Sequence, residues 1–147
     1  IMSTRALINI VDRQEGRSFS KTLPSTAIHT QIYNHYDGYP ERLGVTLASY
    51  LKDYDITNGI PNNYTGFQGP IANGIGCLSA QLVSYLKDEP GSIYLRPPGN
   101  IDFEDYVYYI WVKENKEIMI SIFNYEEECI YVGDCESLIE KYEYNDR

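Results

Sequence analysis

The chain has 147 residues, 43% of them hydrophobic, and a formal net charge of −9. That length is typical of a single domain, here residues 1–147, and that hydrophobic content excludes a chain that is disordered throughout. No apolar run reaches the roughly 18 residues of a membrane-spanning helix, so we expect no membrane contact. The N-terminus has no basic stretch followed by an apolar core, so we expect no secretory signal and a cytoplasmic protein. Met2 is interpreted as the natural start, preceded by one added residue.

The negative charge is concentrated in the last third of the chain. Residues 1–101 carry eight acidic and eight basic side chains, whereas residues 102–147 carry thirteen acidic and four basic ones. Nucleic-acid affinity depends largely on Lys and Arg side chains that displace counterions from phosphates. We therefore expect no nucleic-acid partner for this surface. The acidic surface suits a basic protein partner, or it serves only to keep the protein soluble.

The cysteines and histidines do not form a recognisable metal or disulfide pattern. Three cysteines are too few for a disulfide framework and are expected to be reduced thiols. Cys129 and Cys135 lack the paired spacing of a zinc site, and His29 and His35 are six residues apart on one predicted strand. No glycine-rich phosphate loop of a known nucleotide-binding type occurs. We predict no metal and no cofactor.

The first part of the chain is predicted to form two strands. Branched residues favour a buried strand over residues 4–11, and polar residues with Gly and Pro favour a hairpin loop over 12–25. Alternating apolar residues favour a second strand over 27–36. The sequence Asp37-Gly38-Tyr39-Pro40 is a dense turn signal, and we expect the chain to turn on Gly38.

A helix and a long loop are predicted next. The helix extends from about Pro40 to Asp53, where four apolar residues follow one another at helical spacing: Leu43, Leu47, Leu51 and Tyr54. Residues 55–76 contain five glycines and two prolines without clear periodicity, and are interpreted as a loop. Loops of this length are usually lids or binding segments.

The second half is predicted to form two more helices and four strands. The helices cover residues 77–88 and 134–142, the second of them capped by Asp134. The strands cover residues 92–96, 106–112, 117–123 and 129–132. Strands and helices do not alternate regularly, so we predict an α+β fold with a mainly antiparallel sheet and about three helices.

The densest cluster of polar residues lies at 35–42, where a strand is predicted to end and a helix to begin. The first turn of a helix presents free N–H groups that bind anions. Arg42 adds a forked donor, His35 adjoins it, and Arg5 reaches the same place if the two first strands pair. We predict a pocket for a small anionic ligand at this turn.

A structural interpretation of the same turn stays open. In it, Asp37 accepts the first helical N–H groups, Arg42 pairs with Asp37 or Glu41, and His35 is a satisfied residue at the strand end. The loop at 55–76 has the same two interpretations, as a solvated connector or as a lid whose aromatic residues stack on the ligand. The predicted ligand-binding residues are Arg5, His35, Tyr36, Asp37, Tyr39, Arg42, Tyr64 and Phe67.

Two segments of the chain resemble a family of small phage-encoded proteins. The first is Met2-Ser3-Thr4-Arg5-Ala6-Leu7-Ile8, and the second extends from Ile32 to Gly44. Members of the family resemble one another in a Met-Gly/Ser-Thr-Arg start and a later Tyr-x-His-Trp/Tyr-Asp-x-Tyr-Pro-x-x-Leu-Gly motif. The resemblance covers about the first fifty residues and implies a phage setting, without catalytic residues. Small phage proteins of this kind often act against host defences, which is an implication by association.

We therefore predict a non-catalytic phage accessory protein that sequesters a small anionic signal of the nucleotide type. Binding to a host defence protein is the first alternative, through Glu126, Glu127 and Glu128 and neighbouring tyrosines, as in an anti-CRISPR or nucleic-acid mimic. A small hydrolase or nucleotide-degrading enzyme is the second, including one with Ser3 as an amino-terminal nucleophile. A further option is a homo-oligomer in which neighbouring subunits complete the pocket together.

Overall fold

The computed structural model describes residues 4–11, 28–60, 70–98 and 104–143. The predicted hairpin loop at 12–25 and the predicted ligand-binding residues Tyr64 and Phe67 lie outside these ranges. The described elements, in chain order, are β1 (Ala6–Val11), β2 (Ile28–Asn34), a π-helical turn (Pro40–Gly44), α1 (Val45–Leu51), β3 (Asp55–Thr57), β4 (Ile71–Asn73), α2 (Gly74–Leu86), β5 (Ile93–Arg96), β6 (Tyr106–Val112), β7 (Ile118–Phe123), β8 (Cys129–Asp134) and α3 (Cys135–Glu143).

Six of these strands form one sheet in the order β5-β2-β1-β6-β7-β8. Four of the neighbouring pairs are antiparallel, and β1 and β6 are parallel, with Ala6 opposite Tyr106. The predicted α+β fold with a mainly antiparallel sheet is therefore confirmed, and the one parallel pair makes the sheet a mixed one. A parallel pair needs a long crossover connection, and here that connection contains α1 and α2.

One face of the sheet packs against all three helices. Ile8 and Ile10 of β1 are fully buried there, together with Leu47 of α1, Leu82 of α2 and Leu138 of α3. The predicted apolar stripe is confirmed, because Leu43, Leu47 and Leu51 are buried and Tyr54 packs beside them. The helices are thus held by the burial of one apolar side each, the usual source of helix stability in small domains.

The opposite face of the sheet carries a second buried cluster. It is formed by Leu7, Val11, Val107, Tyr109, Trp111 and Phe123. None of these residues belongs to a helix of the described ranges. Both faces of β6 are therefore apolar, which explains why its sequence reads as an unbroken run of aromatic and branched residues rather than an alternating one.

The prediction of a loop over residues 55–76 is partly wrong. Strands β3 and β4 pair in parallel within it, and α2 begins at Gly74 rather than at residue 77. Three-residue strands are too short to display alternation, so the sequence gives no sign of them. The predicted cap of the last helix is confirmed, because Asp134 Oδ1 accepts a hydrogen bond from the Ser137 N–H at 2.7 Å. Within the described ranges, no helix combines the length and apolarity needed to cross a membrane.

Candidate functional site

The turn after β2 is locked against the start of β1. The Gly38 N–H donates to the Thr4 carbonyl oxygen at 2.9 Å, and the buried Tyr108 hydroxyl donates to the Gly38 carbonyl oxygen at 2.7 Å. A Cβ atom on Gly38 would lie 2.7 Å from the Ala6 Cβ, so glycine is required by close approach. The chain reverses on Asp37, whose φ is 53°, and not on Gly38 as the sequence led us to expect.

The helix that follows begins with a π-helical turn over Pro40–Gly44. The N–H groups of Arg42 and Leu43 both donate to the Tyr39 carbonyl oxygen, and the Val45 N–H reaches Pro40. These donors are therefore already used, in contrast to the free N–H groups expected for an anion site. No side chain caps the turn, so Asp37 does not have the capping role of the structural interpretation. The donor that Arg42 offers to a ligand is therefore its side-chain guanidinium, because its main-chain N–H already donates to Tyr39.

A cleft of about 400 Å³ opens between this turn, the first residues of α1 and the C-terminal end of α2. It continues into a second cavity of about 430 Å³ beside the connection to β5. The groups that line the cleft belong to Asn34, Tyr36, Asp37, Arg42, Leu43, Thr46, Tyr85, Leu86 and Asp88. Three of the residues predicted from the sequence, Tyr36, Asp37 and Arg42, are thereby brought to one site.

Two tyrosine rings give the cleft its aromatic surface. Tyr36 from the turn is 51% exposed and Tyr85 from α2 is 49% exposed. Tyr85 stacks on Tyr50 with ring centroids 3.9 Å apart and an angle of 15° between the rings. The Tyr50 hydroxyl in turn lies 2.8 Å from that of Tyr54. Burial, followed by this hydrogen bond, raises the pKa of Tyr50, so its hydroxyl stays protonated well above neutral pH.

The charged groups of the cleft are mostly acidic. The Arg42 guanidinium lies 3.7 Å from the Asp37 carboxylate, and both side chains are more than half exposed. An exposed ion pair of that length stabilises a protein by less than about 1 kcal/mol. Asp88 adds a second carboxylate, and Glu89 lines the adjoining cavity. The Arg42 guanidinium is thus only loosely held and accessible from the cleft.

No protein-family model, curated protein or solved structure matches the chain. The resemblance to phage proteins stays a prediction from two sequence segments. In spatial terms these segments are neighbours, because the Thr4–Gly38 hydrogen bond joins them.

Of the other predicted residues, Arg5, His35 and Tyr39 lie in the described ranges, and they do not line the cleft. The Tyr33 hydroxyl lies 2.8 Å from His35 Nδ1, and the His35 ring meets that of Tyr36 edge-on with centroids 4.6 Å apart. The main chain of Arg5 is bound to Asp105, whose carboxylate accepts its N–H at 3.0 Å. Tyr39 contributes its carbonyl oxygen to the π-helical turn. Of the two regions that were expected to converge, only the 36–42 segment faces the cleft.

Six lining residues were not predicted from the sequence: Asn34, Leu43, Thr46, Tyr85, Leu86 and Asp88. Tyr85 gave no sign of a site, because a tyrosine fits an apolar stripe as well as a half-exposed position. Thr46 and Asp88 carried no signal of their own. Thr46 follows Arg42 by about one helical turn, whereas Asp88 reaches the cleft only because the fold brings the C-terminal end of α2 beside the turn, which is a relation of tertiary structure.

A second surface of interest is the acidic turn between β7 and β8, residues 124–128. Asn124 Oδ1 accepts hydrogen bonds from the N–H groups of Glu126 and Glu128, each at 2.9 Å. Glu127 takes a left-handed conformation with φ of 66°. The turn therefore has a defined shape, and it exposes 65% of Tyr125 together with the three glutamates.

A groove of about 410 Å³ runs beside this acidic turn and is lined by Thr4, Asp105, Tyr106, Asn124, Tyr125 and Glu126. Burial, followed by the negative charges of Glu41 and Asp105, raises the pKa of Tyr106. Its hydroxyl is therefore a hydrogen-bond donor near neutral pH. Within the described ranges, no set of three or more His, Cys, Asp or Glu side chains is placed to hold a metal ion.

Proposed function

We propose that this chain is a phage accessory protein that counters host defence by binding a small nucleotide-type ligand in the Tyr36–Tyr85 cleft, without altering it. The observation that supports this proposal is the combination of two half-exposed tyrosine rings with an accessible guanidinium in one cleft of about 400 Å³. Ligand sites of small molecules have such volumes and a few polar groups that fix orientation.

The lining groups suit the parts of a nucleotide. Tyrosine rings stack on bases, and the Arg42 guanidinium binds a phosphate through two parallel N–H donors. Asn34 and Thr46 add an amide and a hydroxyl to the cleft. The ligand phosphate replaces Asp37 as the partner of Arg42, a change that removes only a weak exposed ion pair. The setting is the cytoplasm of an infected bacterium, and sequestration lowers the concentration of the free signal.

A thermal-shift screen against mono-, di- and cyclic nucleotides tests this proposal. A ligand present at 100 times its dissociation constant stabilises the folded state by about 2.7 kcal/mol, which raises the melting temperature by several degrees. Arg42→Ala is expected to abolish the shift. Lys52→Ala, which removes an exposed cation outside the cleft, is the matched control and keeps it. A flat response of the wild type across the whole panel contradicts the proposal.

A second candidate function is inhibition of a host defence protein through the acidic turn. The observation that favours it is the turn's fixed shape, with Tyr125 and the glutamates exposed around Asn124. Tyrosine supplies contact area at a small entropic cost, and the carboxylates steer a basic partner.

Matched charge reversals separate the two functions. If the turn binds the partner, Glu126→Lys with Glu127→Lys abolishes protection of the phage in a defended host, and Arg42→Ala leaves it intact. Glu114→Lys with Glu140→Lys changes the net charge equally at exposed positions elsewhere and serves as the control. The nucleotide proposal predicts the opposite pattern, with protection lost only in Arg42→Ala.

A further inference from the structure

We infer that the ligand of the cleft is a nucleoside with at most one phosphate group, whose base stacks on Tyr85. This inference rests on the proposed function and names the class of ligand. It depends on two features that the proposal does not use, namely the Tyr50–Tyr85 stack and the excess of carboxylates around the cleft.

Tyr85 is held as a platform for a third ring. One side of its ring is covered by Tyr50, which lies nearly parallel to it at 3.9 Å between centroids. Tyr50 is itself fixed, because its hydroxyl donates to the Gln81 carbonyl oxygen at 3.2 Å and contacts the Tyr54 hydroxyl. Since Tyr85 is still 49% exposed and lines the cleft, the ring surface turned away from Tyr50 is open to a ligand.

A flat aromatic group is the natural occupant of that surface. Placed on Tyr85, it continues an existing stack without moving either tyrosine, so little conformational entropy is lost on binding. A sugar phosphate has no such ring and gains nothing from the platform. The base therefore contributes a large share of the affinity, and the stack tolerates several bases because every base has a π face.

The charges around the cleft limit the number of phosphates. Three carboxylates, those of Asp37, Asp88 and Glu89, are opposed by the Arg42 guanidinium in the two adjoining cavities. One phosphate is matched by Arg42, whereas a polyphosphate places further negative charge beside the carboxylates, which is repulsive. The same carboxylates accept hydrogen bonds from ribose hydroxyls, as acidic residues do in other nucleotide sites. The cleft thus favours a ribose with free hydroxyls and a single phosphate.

Isothermal titration calorimetry with defined probes tests this inference. The probes are the four ribonucleoside 5′-monophosphates, the corresponding triphosphates, and ribose 5-phosphate, which lacks the base. We expect at least one monophosphate to bind, its triphosphate to bind more weakly, and ribose 5-phosphate to bind at least about tenfold more weakly. Tyr85→Leu is expected to weaken the monophosphate about tenfold to a hundredfold and to leave ribose 5-phosphate unchanged.

Two control variants distinguish the loss of stacking from a loss of folding and from an unspecific effect of removing a tyrosine. Tyr85→Phe keeps the stacking ring and is expected to bind like the wild type. Tyr94→Leu removes another half-exposed tyrosine that lies outside the cleft, and is expected to have no effect. The inference is overturned if Tyr85→Leu binds monophosphates as the wild type does, or if the triphosphate binds more tightly. In that case Arg42-dependent binding still supports the proposed function. The absence of binding by every calorimetry probe overturns the inference, and the proposed function is contradicted only if the thermal-shift panel of di- and cyclic nucleotides is silent as well.

Discussion

The Gly38 N–H donates a hydrogen bond of 2.9 Å to the Thr4 carbonyl oxygen, and this bond joins the two segments on which the predicted resemblance to phage proteins rests. One main-chain contact thus brings together two residues that are 34 positions apart in the sequence. It can form because Gly38 has no side chain that would keep β1 at a distance. Tyr108 from the central strand β6 completes the arrangement with its own bond to Gly38. This anchored turn positions Tyr36, Asp37 and Arg42 at the cleft.

Gly38→Ala is expected to destabilise the protein by about 1–3 kcal/mol, the typical effect of overpacking a closed site. The added Cβ atom would lie 2.7 Å from the Ala6 Cβ and 3.0 Å from the Thr4 carbonyl oxygen, and neither neighbour is the end of a flexible chain. Urea unfolding followed by circular dichroism measures the change. Gly76→Ala is the matched control.

The Gly76 control predicts a change of the opposite sign. Gly76 is exposed within α2, and a Cβ atom there makes an ordinary contact of 3.6 Å with His29. Alanine is favoured over glycine in a helix by about 1 kcal/mol, so Gly76→Ala should be as stable as the wild type or more stable. Equal stability of both variants would show that Gly38 is not held by close approach.

Tyr108→Phe is expected to cost about 1–2 kcal/mol of unfolding free energy. The substitution keeps the buried ring and leaves the Gly38 carbonyl oxygen without the donor that now lies at 2.7 Å. Tyr94→Phe, on a half-exposed ring, is the control and should stay within about 0.5 kcal/mol of the wild type. Thermal melts of the wild type, Tyr108→Phe and Tyr94→Phe measure these changes in stability. A melting temperature of Tyr108→Phe equal to that of the wild type would mean that the hydrogen bond does not stabilise the turn.

Local patterns were enough to predict most elements of the fold. The hairpin of β6 and β7 follows from aromatic and branched runs on either side of the polar turn at 113–117, and α1 follows from Leu43, Leu47 and Leu51. The parallel pairing of β1 with β6 has no local signal, because its partners are about one hundred positions apart. The prediction of a mainly antiparallel sheet is confirmed by the other four pairs, all of them antiparallel.

The candidate site was predictable only in part, for the same reason. Turn residues such as Asp37 and Arg42 stand out in the sequence, since they lie between a strand and a helix start. Tyr85 and Asp88 come from a helix end more than forty positions later, and only packing brings them to the turn. The expected convergence of His35 with Arg42 fails because His35 is engaged with Tyr33.

Stability is expected to fall as the pH rises from about 9 to about 12. Burial, followed by the nearby charges of Asp134, Glu117 and Glu136, raises the pKa of Cys135 from 9.0 to about 12. Below pH 9 the thiol is protonated in both the folded and the unfolded chain, and the full stability is present. Between the two values the unfolded chain releases the proton first, so unfolding becomes easier by up to about 1.4 kcal/mol per pH unit.

Cys135→Ala tests the contribution of this thiol to the alkaline loss of stability. The variant is less stable at pH 7 because a buried side chain is shortened, so the quantity to compare is the slope of unfolding free energy between pH 9 and 12. We expect a shallower slope for Cys135→Ala than for the wild type. Cys129→Ala, which removes an exposed thiol, is the control. Parallel curves for all three proteins would contradict the assignment to Cys135.

Chemical-shift mapping tests the central claim of a ligand cleft most directly. Adding a ribonucleoside monophosphate to the 15N-labelled protein is predicted to shift the backbone amides of residues 34–46 and 81–92, which surround the cleft, and to leave those of the acidic turn at 124–128 unchanged. Arg42→Ala should remove these shifts. Shifts confined to the acidic turn, or a spectrum that does not respond to any nucleotide, would contradict the account.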